Sequence, residues 1–244
     1  MDVRQEFRGA AREKGVPLAE IERWVRLARP QTELVPKGDG LPVVGRFGGL
    51  AALPQGQEWP PGQCLVLTLD LAAIPSHGHD LDLPADGSLL FFVEPRFTPT
   101  RCRVVHVPAD TALTERPSPG VPVFDPVPLH ARAGWSLPEN EREAPFDLRL
   151  DDEVEEAIGE VMWYLDGNDH EFSLGGYGAA STGGADNPIL DGAEHTVLAT
   201  VWLDEGQVGD AFGETLIVVN FMIRHTDLAE RAFDRIWLMT DFNG

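Results

Sequence analysis

The chain has 244 residues, of which 43% are hydrophobic, and this is enough apolar material for a sizeable core. Disorder of the whole chain is therefore excluded. Nineteen Lys and Arg residues against forty Asp and Glu residues give a formal net charge of −21, which repels phosphate backbones and anionic lipid surfaces. The composition argues against binding to nucleic acid or to a membrane.

The acidity itself has two readings. It is either a solubility feature shared by the proteins of the same cell or a surface that complements a basic protein partner. The two cysteines, Cys64 and Cys102, are too few and too far apart for a disulfide framework or a zinc knuckle. The first residues are charged and lack an apolar signal core, and no run approaches the ~20 apolar residues of a spanning helix. We therefore expect a cytoplasmic location.

Helical patterns open the chain. Residues 3–14 and 18–29 predict two helices, with a break at Gly15 and Pro17, and together they form an N-terminal helical segment over residues 1–29.

Short apolar runs broken by Pro and Gly follow from residue 30, as in sheet proteins. Strands are predicted at 65–71, 87–93 and 101–107. Residues 108–150 hold eight of the twenty prolines and little periodicity, so they are interpreted as an irregular connection.

The second half of the chain begins with a helix. Asp151 or Asp152 can cap it, acidic residues occupy its first turn, and it runs to about Leu165. The remaining predicted elements are strands at 196–203 and 215–223, a short helix that starts near Thr226, and a final strand at 235–242.

Two parts of the sequence resemble each other. A Gly-Gly pair at 48–49 precedes the apolar runs 65–71 and 87–93, and a pair at 175–176 precedes the runs 197–203 and 213–219. From Gly49 to Gly87 is 38 residues and from Gly176 to Gly213 is 37, so the spacing favours two copies of one unit. We predict an α+β protein with a mostly antiparallel or mixed sheet. A single domain, 30–244, would contain related halves at about 30–107 and 151–244, joined by the Pro-rich connection 108–150.

The stretch GGLAALPQGQEWP, residues 48–60, carries one ionisable side chain, Glu58. The glycines permit positive φ or close approach, and the prolines favour extended, non-sheet backbone between Gly49 and Leu65. Trp59 supplies an apolar anchor. We interpret the stretch as a rigid lead-in to a central strand. The alternative is a ligand clamp with Glu58 and Trp59 at its mouth.

The densest group of metal-ligating residue types follows the first strand, in the order His77, His79, Asp80 and Asp82. Two imidazoles and a carboxylate could hold a transition metal. The spacing matches no diagnostic metalloenzyme motif, and a solvated loop is the favoured alternative.

Several motifs carry a resemblance to a known family. GGLAALPQGQEWP, the strand LVLTLDL, the segment LPADGSLLFFV, the element LGGYG and the closing DLAERAFDRIWLMTDFN are together similar to the bacterial YwqG family. The resemblance runs from about residue 29 to the end of the chain. The family usually has Gln where this chain has Thr68 or Asp70, and an aromatic pair where it has Val218 and Val219. The resemblance implies no assigned catalytic residue, cofactor or substrate.

We expect a non-enzymatic binding protein that engages a protein partner through its acidic surface or through the cleft between the halves. A basic toxin would be such a partner. The alternative is a small-ligand or metal-dependent enzyme that uses this cleft. Neither a catalytic residue nor a cofactor is assigned. The predicted ligand-binding residues are Glu58, Trp59, Asp70, Arg96 and Tyr177, and the predicted metal-binding residues are His77, His79 and Asp80.

Overall fold

The computed structural model describes residues 2–95, 101–117, 120–140, 143–144, 149–166, 172–178, 192–203, 208 and 216–243. Its helices are α1 Val3–Glu13, α2 Leu18–Val25, α3 Asp152–Asp166 and α4 His225–Ala229. Its strands are β1 Arg29–Val35, β2 Val43–Phe47, β3 Ala51–Pro54, β4 Cys64–Asp70, β5 Ser88–Val93, β6 Cys102–Val107, β7 Leu113–Arg116, β8 Val127–Ser136, β9 Phe172–Gly175, β10 His195–Leu203, β11 Leu216–Arg224 and β12 Trp237–Asn243.

Ten of these strands form one antiparallel sheet in the order β12-β11-β10-β9-β1-β8-β2-β4-β5-β6. The sheet is nearly closed, because its two edge strands approach each other. The Cys102 thiol on β6 lies 3.9 Å from the Ile236 carbonyl oxygen just before β12. Inside the curve, the Phe91 and Phe221 rings meet edge to face with centroids 5.0 Å apart. The α+β prediction with a mostly antiparallel sheet is confirmed.

The strand order is the same when it is read outward from the middle in either direction. On one side β2, β4, β5 and β6 follow one another, and on the other side β9, β10, β11 and β12 do the same. The pairs β4–β5 and β10–β11 both contain a bulge near the start of the first strand, at Leu65/Leu67 and Val197/Ala199. This repetition of strand order and bulge position is what the predicted duplication of a Gly-Gly-led unit requires, and the duplication stays a prediction.

One detail of the predicted duplication is wrong. The registers match β5 with residues 218–223, not with 213–219. The equal Gly-to-Gly spacing misleads here, because Gly49 lies 16 residues before Leu65 whereas Gly176 lies 21 residues before its counterpart Val197.

One unit runs from β1 to β7 and the other from β8 to β12. The first strand of each unit, β1 or β8, lies beside the other unit. β1 pairs with β8 and β9, whereas β8 pairs with β1 and β2. The two units therefore exchange strands at the centre of the sheet, and this central seam runs through the whole molecule.

Two segments that were expected to lie outside the sheet contain strands. The Pro-rich connection 108–150 includes β7 and also β8, which lies in the centre of the large sheet. Leu129 and Ala131 are the buried apolar residues of β8, so the alternation of apolar and polar residues that predicts a strand is weak in this segment. Within the supposed non-sheet stretch, β3 pairs with β7 in a two-stranded sheet and ends at Pro54, where a missing N–H is tolerated.

Apolar side chains lie on both faces of the large sheet. The enclosed face carries the main core, which includes Phe47, Leu67, Phe172 and Val201. On the outer face, α1, α2 and α3 form a second cluster around Trp24, whose indole N–H donates to the Pro138 carbonyl at 3.1 Å. Among the described residues, no helix is both long and apolar enough to cross a membrane.

Candidate functional site

A cavity of about 390 Å³ lies at the seam between the two units. The first unit contributes the end of α2, the start of β1 and the loop after β4, while the second contributes the residues after β9, the start of β10 and α4. The polar side chains that line it are Arg26, Arg29, Asp80, Glu143, Tyr177, Thr196 and His225. Leu27, Leu81 and Leu228 provide apolar wall. We call this cavity the seam pocket.

Arg29 connects the two units across the seam pocket. Its Nε and Nη2 atoms donate to the two carboxylate oxygens of Asp80 at 2.8 and 2.9 Å. Nη2 also donates to the Thr196 hydroxyl at 2.9 Å. Arg29 belongs to β1, Asp80 to the loop after β4, and Thr196 to β10. A bidentate pair of this kind holds its partners in one geometry, so the loop and the strand are fixed relative to each other.

Tyr177 reaches the pocket because of the second Gly-Gly pair. Gly175 and Gly176 have φ angles of +73° and +75°, which turn the chain sharply at the end of β9. The backbone N–H of Tyr177 then donates to the Ser136 hydroxyl at 3.0 Å, and its phenol donates to the Leu27 carbonyl at 2.7 Å. Burial raises the pKa of Tyr177 to about 12. Its phenol is therefore a neutral donor at physiological pH.

Charges of both signs meet around this ring. The guanidinium carbon of Arg29 lies 5.3 Å from the centroid of the Tyr177 ring. The buried Glu143 carboxylate accepts from the Glu139 backbone N–H at 2.8 Å and from the Asn140 side-chain amide at 3.1 Å. Within the described part of the chain, Arg26 forms no side-chain hydrogen bond or ion pair, and it is solvent-exposed.

The predicted ligand-binding residues do not all meet in one place. Tyr177 lines the seam pocket. Trp59 packs on the outer face of β5, with its ring 5.3 Å from that of Phe92 and its indole N–H bonded to the Gln63 carbonyl at 2.6 Å. Glu58 beside it is exposed. Trp59 thus has the anchoring role that the lead-in interpretation gave it.

Asp70 lies in a second cavity of about 400 Å³ on the outer face of β2 and β4, which it shares with Arg46, Thr68 and Ser88. Arg96 falls outside the described residues. The structure therefore assigns Glu58, Trp59 and Asp70 to places other than the seam pocket.

The three predicted metal-binding residues differ in their surroundings. Asp80 bonds to Arg29 through both oxygens, and His77 is exposed. His79 is half-buried, and burial lowers its pKa in spite of the nearby Asp80 charge. In the part of the chain that the structure describes, no three His, Cys, Asp or Glu side chains are placed to hold a metal ion.

Sequence reasoning missed Arg29, Glu143 and His225 as pocket residues. Arg29 is the last residue of the predicted helix 18–29, where a basic side chain is common. Glu143 lies in the segment interpreted as an irregular connection. His225 is a lone histidine, and it opens α4 with its Nε2 atom 3.3 Å from the Gly192 carbonyl oxygen. Only the exchange of β1 and β8 brings these distant residues together, and no local pattern reports that exchange.

The fold and the pocket define a two-unit antiparallel sheet protein with a polar cavity at its seam. A family model described as a domain of unknown function (DUF1963) matches residues 45–241. Because the match covers most of the chain, the protein belongs to this family. No curated protein matches the chain significantly.

Proposed function

We propose that the protein is a binding protein rather than an enzyme, and that the seam pocket holds a small ligand with both a positive and a negative group. The observation that carries this proposal is the convergence of two guanidinium groups and two carboxylates, from both units, on one cavity of about 390 Å³. A cavity of this size suits a small molecule, and a few fixed polar groups in a partly apolar wall are typical of binding sites.

The ionisation of the two cysteines, neither of which lines the seam pocket, supports binding over covalent chemistry. Burial raises the pKa of Cys64 to about 11 and that of Cys102 to about 12. Both thiols are thus protonated at neutral pH, and the thiolate is the reactive form. The phenol of Tyr177 is neutral for the same reason.

The roles inside the pocket follow from which groups already have partners. Arg29 and Asp80 bind each other, so they shape the wall rather than neutralise a ligand. Arg26 is the guanidinium available to a ligand carboxylate or phosphate. The buried Glu143 carboxylate, rather than Asp80, provides negative potential for a ligand amine. A zwitterion of the size of an amino acid or dipeptide fits this distribution of charge.

Calorimetric titration with a panel of free amino acids and dipeptides tests this proposal. We expect at least one of these zwitterions to bind, and the Arg26→Ala variant to bind it about tenfold more weakly, as loss of one charged hydrogen bond implies. Asp70→Asn, which changes the other cavity, is the matched control and should bind normally. The proposal fails if no zwitterion binds at millimolar concentration, or if Arg26→Ala binds as well as the unchanged protein.

A second proposed function is recognition of a basic protein partner. A net charge of −21 accelerates encounter with such a partner and disfavours anionic competitors. A basic toxin is a partner of this kind. Binding to a cationic protein that weakens steeply with added salt would support this function, whereas binding that is indifferent to salt would contradict it.

We also propose a narrower family and a location. The GG, P, LP, G and WP pattern of residues 48–60 supports membership of the YwqG family within the broader assignment. Cys64 and Cys102 are both free, as expected in the reducing cytoplasm.

A further inference from the structure

The outward side of α3 exposes two aromatic residues next to each other. Trp163 is 82% exposed and Tyr164 is 73% exposed, the two highest values among the large hydrophobic residues that the structure describes. The opposite side of the same helix is buried, with Ile158 and Val161 packed in the helical cluster on the outer face of the sheet. The core therefore gives no reason for the two aromatic rings.

Helical spacing places the two rings at the end of an acidic stripe. Side chains three and four residues apart share one side of a helix. The members of this stripe are Glu153, Glu156, Glu160, Trp163 and Tyr164, and all are exposed. We call these five residues the α3 stripe.

The α3 stripe carries no positive charge of its own. The sequence of the helix, DEVEEAIGEVMWYLD, contains no Lys or Arg. Lys14, which caps the end of α1, pairs with Glu160 in the middle of the stripe. Glu153 and Glu156 form no side-chain hydrogen bond or ion pair with any described residue, so their carboxylates are available to a partner.

We infer that the α3 stripe docks a basic amphipathic segment of a protein partner. This inference rests on the second proposed function and names the surface that would perform it. Aliphatic side chains of the partner would cover the Trp163 and Tyr164 rings, which are residue types that dominate binding energy at interfaces. Lysine or arginine groups would lie near Glu153 and Glu156, or over the ring of Trp163 as a cation–π contact.

Charge decides between this partner and the other surfaces that could cover exposed aromatic rings. An anionic membrane would be repelled by the glutamates of the stripe. A second copy of the chain would bring another charge of −21 against the first. A cationic segment is the occupant for which both the rings and the carboxylates are favourable.

The test uses the full chain and a helical peptide built only of Lys and Leu. Because Trp163 is highly exposed, peptide binding should shift the tryptophan fluorescence to shorter wavelength. We expect Trp163→Ala to lose most of this shift and to bind about tenfold more weakly, as is typical of an interface hot spot. The matched control is Leu18→Ala, because Leu18 is also an exposed apolar residue (58%) but lies on α2. It should bind normally.

A second pair of variants tests the charge. Glu153→Gln combined with Glu156→Gln should weaken binding and reduce its dependence on salt. Asp82→Asn combined with Asp86→Asn removes two exposed carboxylates that precede β5 and are not part of α3, and should leave the affinity within about twofold. Circular dichroism of each variant checks that the fold is unchanged.

The outcomes separate the surface from the proposed function. If the unchanged protein does not bind the peptide, recognition of basic proteins is wrong and the docking surface fails with it. If the peptide binds but Trp163→Ala binds equally well, basic partners are recognised elsewhere and only the α3 stripe is wrong. Sedimentation that shows a dimer, lost in Trp163→Ala, would assign the rings to self-association and overturn the inference.

Discussion

Paired glycine residues form the turn at the end of β2 in one unit and at the end of β9 in the other. Gly48 and Gly49 have φ angles of +61° and +79°, close to those of Gly175 and Gly176. A Cβ on Gly48 would lie 2.9 Å from the backbone carbonyl oxygen of Phe124, which cannot easily move. These positions therefore combine two separate requirements for glycine, a left-handed backbone and a close approach of another segment.

We predict that Gly48→Ala lowers the free energy of unfolding by at least about 2 kcal/mol, because both requirements are violated together. Chemical denaturation measures this loss. The control is Gly159→Ala in the middle of α3, where a Cβ meets nothing within 4 Å. Alanine there should stabilise the protein by up to about 1 kcal/mol, as helix propensity requires. Equal effects of the two substitutions would contradict the argument.

The sequence alone predicted such residues well where the requirement is local. Paired glycines, and a tryptophan flanked by prolines, indicate a fixed turn and an anchor whatever the rest of the chain does. Residues that matter only through distant neighbours were not predictable. Arg29 binds Asp80, 51 positions away, and Thr196, 167 positions away.

At the scale of elements, α1 depends on a cap that lies just outside it. The Asp2 carboxylate accepts from the Arg4 backbone N–H at 3.0 Å and also pairs with the Arg4 guanidinium at 2.6 Å. The side-chain hydrogen bond from Arg4 is the main cause that lowers the pKa of Asp2 below its ordinary 3.8. The helix in turn buries Phe7 in the helical cluster.

We predict that Asp2→Ala destabilises the protein by about 1 kcal/mol, the usual cost of losing an N-cap. Asp2→Asn keeps an acceptor and should lose less. Because the folded pKa is lower than the unfolded one, the carboxylate stabilises the fold above pH 3.8 and loses this effect as the pH falls through its folded pKa. The unchanged protein and Asp2→Ala should therefore differ in the free energy of unfolding at pH 6 and become equal in acid. A difference that stays the same at both pH values would refute the assignment.

Element prediction from sequence succeeded for continuous apolar strands and failed for short or polar ones. The strands β4, β5, β10 and β11 were predicted to within about two residues at most ends, since they are buried over most of their length and rich in apolar residues. β8 has the pattern VPLHARAGWS, with exposed Arg132 and Trp135. Hydrogen bonds to β1 on one side and β2 on the other, rather than its own composition, hold this segment as a strand.

At the scale of the molecule, the exchanged strands β1 and β8 make each unit incomplete without the other. The helical layer adds to this dependence, because α1 and α2 from the first part of the chain pack against α3 from the second. A cut between β7 and β8 would leave β2 and β9 each with an unpaired edge, and unpaired edges favour aggregation.

We predict that fragments 1–117 and 120–244 do not fold when expressed separately but assemble when expressed together. Co-purification through a tag on one fragment, followed by circular dichroism, measures this. A fragment that is folded and monomeric alone would show that the central exchange is dispensable. The uncut chain purified in parallel provides the reference spectrum.

The seam pocket could be predicted from the sequence only in outline. A duplication implies a boundary between copies, and a boundary is a natural place for a cavity, so Tyr177 was named in advance as a ligand-binding residue. Asp80 was named only as a metal ligand, from the residues beside it in sequence. Which other residues reach the boundary depends on strand order, and strand order is set by pairings between segments about a hundred residues apart.

The exchange of β1 and β8 also bears on how such a chain arises. One copy of the unit has a leading strand with no place in its own sheet, but two identical copies would each house the strand of the other, as in a domain-swapped homodimer. Fusion of the two genes makes that association independent of concentration. It would also free the copies to diverge: the registers align Tyr177 in one unit with Leu50 in the other, so only one of the two corresponding corners carries a phenol.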